Sequence, residues 1–571
     1  MIPVWIATIT VLDENDAPKT LYFGDSTYID DDWNLYKNRM AQPALVKVSA
    51  DDGGTFHCFS SPSIGEIELI NVDGGLNYLT NYAVDNGTVS LSLIDENGFQ
   101  IDYLTGKVLT PHSTDKSIFL TLQSMSELLS RNHPNKKYAG NNVLPAGTEG
   151  VATDLKGNIK PRIFGSNKNQ TPIFVNTARL IYQFSDRQSG IVTAVYDKGG
   201  ALTLGTTFAQ ANFSTFETAA PTAGTFNRCG GFIKLGASPV GAVTGDAFDG
   251  ISLATSATSL VIGMGTKTFS TQAGKNFVSG NTLTIYSAAN PANFMNGTVT
   301  SYATTSLVMN IIAVGGSGTF SDWIVSSNLA GDVFNEIVKE LTFSPAITFD
   351  ASGIKALNTV GEIGILVNAE TSTASLLNQI ISAIGGIWFF TGYVISAQLI
   401  ALATTYTLEI TDSKIISLER TGTGLGTNDL PITAFLISYD KNLTVQNRAE
   451  LVSMITDARV SYLSQESRSA FVESTAVLSH HPMAEAITIS GSVLRNEADA
   501  LAVATRLLNL AAARVDVVNI TVMVERIPAL AIGQGILVTT SKLGYDDGKI
   551  LTIIGFEIDA KRKRITLETI G

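Results

Sequence analysis

Apolar and polar positions alternate in short runs over most of the chain. The runs are rich in Val, Ile, Thr and Phe and are bounded by Gly, Asn, Asp and Ser. A period of two places one face of a strand in a core, so the pattern predicts a mainly β, multidomain chain with many hairpins and a few helices. Met1–Val11 reads as a first strand. Ala44–Ala50, Thr55–Phe59, Ile64–Asn71, Val89–Ile94 and Lys116–Leu122 follow, with a short helix at Ser124–Ser130. Residues 131–172 space Pro134, Pro145, Pro161 and Pro172 among Gly and Asn, which predicts a loop-rich crossing.

Three stretches switch to a helical period. Val333, Ile337, Val338 and Leu341 share a face over Asp332–Leu341, with Asp332 placed as a cap. Leu376, Leu377, Ile380, Ile381 and Ile384 do the same until Gly385 and Gly386 stop the helix. Over Asn496–Arg514, Asn496 is the N-cap, Glu497 and Asp499 suit the first turn, and Leu501, Ala504, Leu508 and Ala511 form a stripe. No charge occurs from Thr371 to Leu408, which invites comparison with a membrane span. A span needs roughly 20 continuous helical residues. Here the two glycines divide the run, and Trp388–Phe390 and Val394–Leu402 flank a Thr-Gly-Tyr turn. A buried helix and hairpin, with no membrane span, is the expectation.

Between Ile251 and Asn328 the only charges are Lys267, Lys275 and Asp322. The stretch is rich in Ser, Thr, Gly and Asn with short alternating runs, which predicts an inserted small all-β module with an uncharged polar surface. At 571 residues the chain implies about three to five domains. Its net charge of −13 disfavours non-specific nucleic-acid binding, because phosphate is met by Lys and Arg. The dense basic run, Lys561–Arg564, lies between the strand-like runs Ile553–Ile558 and Ile565–Ile570. It reads as a solvated hairpin turn, with a phosphate or lipid contact as the alternative. Cys58 and Cys229 are far apart and neither sits in a CxxC, which argues against a zinc or iron–sulfur site and suits a reducing compartment. The N-terminus lacks a basic leader and meets Asp13, Glu14 and Asp16 at once, so it is expected to be a strand and not a signal peptide.

Candidate chemistry is thin. His57, His112, His133, His480 and His481 are the histidines. His480 and His481, adjacent on an expected strand, would point to opposite faces and could not share a metal. Asp30–Asp32 and Asp51–Asp52 lack calcium-loop spacing and read as solvated turns. Thr421–Thr427 has glycines but no following Lys-Ser/Thr, so it is not expected to cradle phosphate. Glu66 and Glu68, two apart in a strand, share one face and suit ladder or interface contacts better than an acid–base pair. Phe269, Phe277, Tyr286, Phe294, Tyr302, Phe320 and Trp323 suit the core of a small β-domain. Tyr286, Tyr302 and Trp323 are the candidates for stacking on sugar rings. No catalytic residue, metal ligand or cofactor site is expected.

Several ordered motifs carry a resemblance. Gly65–Leu76 (GEIELINVDGGL) is followed by Tyr82–Gly87 (YAVDNG), Tyr138–Gly140 (YAG), Gly147–Gly150 (GTEG), Leu155–Gly157 (LKG) and Lys160–Arg162 (KPR). Asn176–Gln183 (NTARLIYQ), Ala194–Gly199 (AVYDKG) and Lys234–Pro239 (KLGASP) continue the series; Pro528, Ile532, Gly533, Val538 and Gly555 mark a terminal β-domain. Together they resemble the hub or tip-attachment proteins of siphophage tails, the front part of lambda-type central tail proteins. Thr266–Lys275, Asn290–Asn293, Gly315–Phe320 and Trp323 resemble a small module found in tail proteins.

The resemblance implies a baseplate-hub-like fold of β-barrel domains that forms a homotrimeric ring closing the tail tube. Partners would be the distal tail protein, other tail-tip proteins and the tape measure protein, with DNA passing through the lumen unbound. The location would be the tip of the virion tail, after assembly in the host cytoplasm. The chain stops at Gly571 without a fibre region, so a separate central fibre or spike is expected to read the receptor. The implied domains are 1–160, an N-terminal hub β-domain; 161–250 and 329–440, two parts of a middle domain; 251–328, the inserted module; and 441–571, a C-terminal hub β-domain. A carbohydrate-binding adhesin acting in host attachment is the alternative.

Overall fold

Alternation along Val4–Leu12 turns Trp5, Ala7, Ile9 and Val11 into one core. This strand pairs antiparallel with Pro18–Gly24 on one side and Ala83–Ile94 on the other. Gln100–Ser113, Ser117–Ser124 and Glu66–Ile70 continue the sheet. Leu35–Asn38 then pairs with Pro18–Gly24, and Met40–Gln42, one residue further on, pairs with Glu66–Ile70. At the joint, the Arg39 N–H donates to Gly24 O (3.0 Å) and its carbonyl accepts from Ile70 N (2.6 Å). The stretch from Leu35 to Gln42 therefore joins the two edges and closes the sheet into a barrel, which removes edges open to mispairing. The computed structural model describes residues 3–49, 63–95, 97–187, 190–208, 210–273, 275, 277, 279–280, 282–289, 293–341, 347–391, 393–426, 429–523, 530–559 and 562–571. The expected strand Thr55–Phe59 lies outside them, as do His57, Cys58, Asp51, Asp52, Thr427, Pro528, Lys561 and most of Asn290–Asn293.

Leaving the barrel, Val46–Ser49 pairs antiparallel with Tyr545–Asp559. It thereby joins a sheet built from Leu408–Thr411, Gly535–Thr540, Arg564–Ile570, Val517–Met523 and Ile415–Gly422. One hydrophobic cluster runs through both bodies, from Trp5, Ile67, Leu91 and Leu120 to Ile520, Val538, Leu551 and Leu567. Fully burying each such aliphatic side chain is worth roughly 1.5–3 kcal/mol relative to exposure, so the first and last parts of the chain are held as one body.

Arg162–Gln170, inside the stretch expected to be loop, is a central strand between Val243–Asp249 and Gly364–Val367. The pattern hid it because its buried positions include Asn167, Asn169 and Gln170. Their amides donate to Ile365 O (3.2 Å), Thr444 O (2.6 Å) and Phe184 O (2.8 Å). Buried polar groups are tolerated when so bonded.

Ile251–Ser256, Trp323–Ser327, Thr282–Ser287, Phe294–Ala303, Ser306–Gly315 and Gly265–Ser270 form a separate six-stranded sheet around Phe269, Met295, Met309 and Trp323. Ile251 pairs with Ser327, so the ends of this inserted module are neighbours. The fold is thus mainly β with a few helices and an inserted all-β module.

The helices follow the predicted period with four corrections. The first runs over Ala330–Lys339 with Leu329 at its N-cap; Asp332 lies in the first turn, where Asn358 Nδ2 donates to its carboxylate (3.0 Å). Thr373–Ile384 is capped by the Ser372 hydroxyl and stopped by Gly385 in a left-handed conformation (φ 61°), as predicted. In Glu497–Ala511 the buried face is Ala500, Val503, Ala504, Leu507 and Leu508, while Leu501 is 37% exposed. Asn496 caps that helix by backbone conformation alone, its amide donating instead to Asp499 (3.1 Å). His480 ends a helix, Thr475–His480, and not a strand. Among the described residues no helix is long and apolar enough to cross a membrane.

Candidate functional site

The chemistry-bearing groups fall into an ionic clasp in the interior and two charged turns on the surface. The clasp gathers at the root of the inserted module. Arg162, at the start of its strand, holds Asp186 through two bonds (2.9 and 2.7 Å) and donates to Pro134 O (3.0 Å) and to Glu340. Arg187 reaches Glu340 (2.8 Å), Glu336 (2.9 Å) and Asp249 (3.2 Å). Asp249 precedes the module, and Glu336 and Glu340 lie on or just past the helix after it. Buried His133 completes the set, Nε2 donating to Glu340 (3.0 Å) and Nδ1 hydrogen-bonded with Thr373 Oγ1 (3.1 Å). A carboxylate can only accept, so Nε2 carries a proton. The two arginines therefore tie both ends of the module to the crossing at residues 131–137.

Burial alone would raise the Glu340 carboxyl, but the His133 hydrogen bond and the charges of Arg162 and Arg187 hold it below the ordinary glutamate value. Burial likewise opposes the charge on Arg162, and Asp186 and Glu340 outweigh it, so Arg162 is raised. A carboxyl depressed on folding binds fewer protons folded than unfolded. Its contribution is therefore complete above the unfolded value, near 4.5, and is lost as pH falls through the folded one. Glu340→Gln is expected to cost about 2–3 kcal/mol at pH 7. In urea titrations at successive pH values, the gap to wild type should close on acidification below the glutamate range. A gap of constant size from pH 7 to pH 3 would contradict the assignment.

On the surface, the hairpin Tyr28–Ile29 and Leu35–Asn38 carries Asp31, Asp32 and Trp33 at its tip. Trp33 is 87% exposed and left-handed (φ 62°), flanked by half-exposed Ile29 and Leu35. Asp30 fixes the turn, its carboxylate accepting from Asp32 N (3.1 Å), Asn34 N (2.8 Å) and Asn34 Nδ2 (2.9 Å). The Trp33 N–H donates to Asp30 O (3.0 Å). The second turn ends the hairpin Tyr545–Asp559 and Arg564–Ile570. Its described basic residues Arg562, Lys563 and Arg564 are exposed, with Asp559 accepting from Arg562 N (3.0 Å).

The other predicted positions are placed as follows. Glu68 and Glu66 share a face and accept from Ser117 (2.8 Å) and Thr121 (2.8 Å) of the next strand, the ladder role expected of them. Trp323 is inside the module's core, with Nε1 donating to Thr258 O (2.9 Å). Tyr286 is also buried. Tyr302 is half-buried, and its single hydroxyl proton is within reach of both Gln272 O (2.8 Å) and Thr304 O (2.7 Å). The three are not gathered on one open face, and the rings of Tyr286 and Trp323 are covered. Cys229 is buried, its thiol donating to Gln210 Oε1 (3.7 Å). Among the described residues no group of three or more His, Cys, Asp or Glu could hold a metal. A polar cleft of about 580 Å³ is lined by Asn167, Asn368, Gln379, Asn442, Ser492 and Arg495. Asn442 there is already bonded to Leu463 O (3.0 Å) and Gln465 O (3.1 Å).

The pattern of the sequence did not single out the clasp or Trp33. The clasp gives no local signal, since Arg162 and Glu340 are 178 residues apart. Trp33, a large aromatic directly after three aspartates, was the one available sign of an apolar group displayed on a turn.

No family model matches the chain, and no curated protein matches it. Among solved structures the chain is similar to the 43 kDa tail protein of prophage MuSo2 from Shewanella oneidensis, at 13% identity and TM-score 0.27 over 57% of this chain and 95% of that one. It is also similar to a tail protein from Neisseria meningitidis MC58, at 9% identity and TM-score 0.28 over 54% and 97%. A chain in the virion of a native gene transfer agent particle gives 10% identity and TM-score 0.29 over 55% and 84%. At TM-scores this low the likenesses decide nothing about the chain's role.

Proposed function

We infer that the chain is a structural hub at the tip of a non-contractile bacteriophage tail, a three-copy ring that closes the tail tube, and that it is not an enzyme. The observation that carries this reading is the joining of the chain's two ends. The closed N-terminal barrel and the C-terminal sheet share one hydrophobic core and are stitched by Val46–Ser49 on Tyr545–Asp559. A ring subunit must hold its contact surfaces in fixed relation, and a single rigid body does so. Both ends also carry the motifs that resemble tail hubs. A closed cyclic ring is a usual solution for identical subunits.

In this role the ring contacts the tube, the distal tail protein, the tape measure protein and receptor-binding fibres or a spike. DNA leaves through a lumen whose neutral to acidic lining lets phosphate slide, in keeping with the net charge of −13. The test is the number and place of copies in the particle: three at the tail end support the reading, and any other place or a different closed symmetry overturns it.

A further inference from the structure

We propose that the ring is closed by the acidic Asp31–Trp33 turn of one copy docking on the basic Arg562–Arg564 turn of the next. The inference rests on the ring proposed for this chain and goes beyond it by naming the contact and its partner, a second copy of the same chain.

Trp33 is the first reason. It is 87% exposed, whereas Trp5, Trp323 and Trp388 are 6%, 1% and 2% exposed. It also stands in a left-handed backbone that Asn or Gly would adopt at less cost. Asp30 holds the turn rigid through three bonds to its carboxylate. A large apolar group displayed at a cost, on a pre-set turn, suits an anchor for a partner, and aromatic anchors dominate such contacts.

Charge is the second. Among the described residues, Asp31 and Asp32 have no cationic partner, and Lys563 and Arg564 have no anionic one. In a chain of net −13, the adjacent exposed cations Arg562, Lys563 and Arg564 offer such a turn charge of the opposite sign. Met523 pairs with Arg564 across the sheet and is 54% exposed, so the basic turn has an apolar neighbour. An indole there meets guanidinium and thioether groups, both of which favour an aromatic face or edge.

Geometry within one chain keeps the two turns apart. Ile558 pairs with Val46, so the basic turn lies beside the chain just past Gln42. The acidic tip precedes Leu35, and the extended stretch from Leu35 to Gln42 spans on the order of 25 Å at about 3.3 Å per residue. Two different patches on one rigid body give a head-to-tail contact, the kind that closes rings.

The experiment follows acrylamide quenching of the full chain's tryptophan fluorescence against concentration, with mass photometry on the same samples. Trp33 is the one tryptophan open to the quencher, so ring formation should remove most of the quenching. Trp33→Asn should keep the thermal midpoint and weaken association by roughly 30-fold or more, the scale of a lost anchor. The double variants D31K/D32K and K563E/R564E should each abolish rings, and the fourfold exchange carrying both should restore them. Rings in which Trp33 stays quenchable, or a fourfold exchange that does not reassemble, overturn the contact and leave the ring reading standing. Single copies at every concentration and on the tail overturn both. Protection of Trp33 only on adding another tail protein overturns the second copy as its occupant.

Discussion

Replacing Arg162 with alanine is expected to destabilise the chain by about 3–5 kcal/mol, the cost of removing one partner from a buried ion pair. The Arg162 side chain is 8% exposed and Asp186, its bidentate partner, 2%. Without it, Glu340 loses one of its two arginines and Asp186 loses both of its guanidinium bonds. The tie to Pro134 O goes as well, so the crossing loosens from the central strand. Urea unfolding followed by tryptophan fluorescence measures the loss. Lys137→Ala is the control: it breaks the exposed Lys137–Glu370 pair (2.9 Å), and exposed pairs contribute little, so its midpoint should stay at the wild-type value. Equal midpoints for the two variants would mean that the clasp is not structural.

Gly165→Ala should cost about 3–4 kcal/mol, the sum of left-handed strain and overpacking. Gly165 has φ +76°, and a Cβ there would lie 2.1 Å from the Ile363 carbonyl oxygen. It faces Gly364 across the register, where a Cβ would lie 1.9 Å from Ser166 O. The two backbones approach this closely in the strand that also carries Arg162 and Asn167, so separating them disturbs the clasp too. Gly98→Ala isolates the clash. Gly98 has φ +85° but no heavy atom within 4 Å of the added Cβ, so it bears the backbone strain alone. If the two variants unfold at the same urea concentration, the close approach at Gly165 is wrong.

What was legible beforehand follows from where the information lies. Thr373–Ile384 could be read because one face repeats Leu376, Leu377, Ile380, Ile381 and Ile384 and Gly385 supplies the left-handed stop. The module could be read from its missing charges. Arg162–Gln170 could not, because Asn169 finds its partners at Asn442 and Thr444, far along the chain. Barrel closure was hidden for the same reason: Leu35–Asn38 and Met40–Gln42 are too short to look like strands, and their meaning lies in pairing on two different sides. The clasp's members are ordinary charges until folding gathers them. Of the surface turns, both charge runs were visible in advance, but the exposure of Trp33 was not, because a tryptophan in an alternating chain is most often core.

Three-dimensional reconstruction of the intact tail tip, with this chain carrying a compact C-terminal tag, would count and place its copies. Three tagged copies are expected in one ring across the end of the tail tube, with the barrel and C-terminal sheet of each subunit together forming the wall. A ring of another symmetry, or tagged density on the fibres, on the capsid or absent from the particle, would contradict the hub reading.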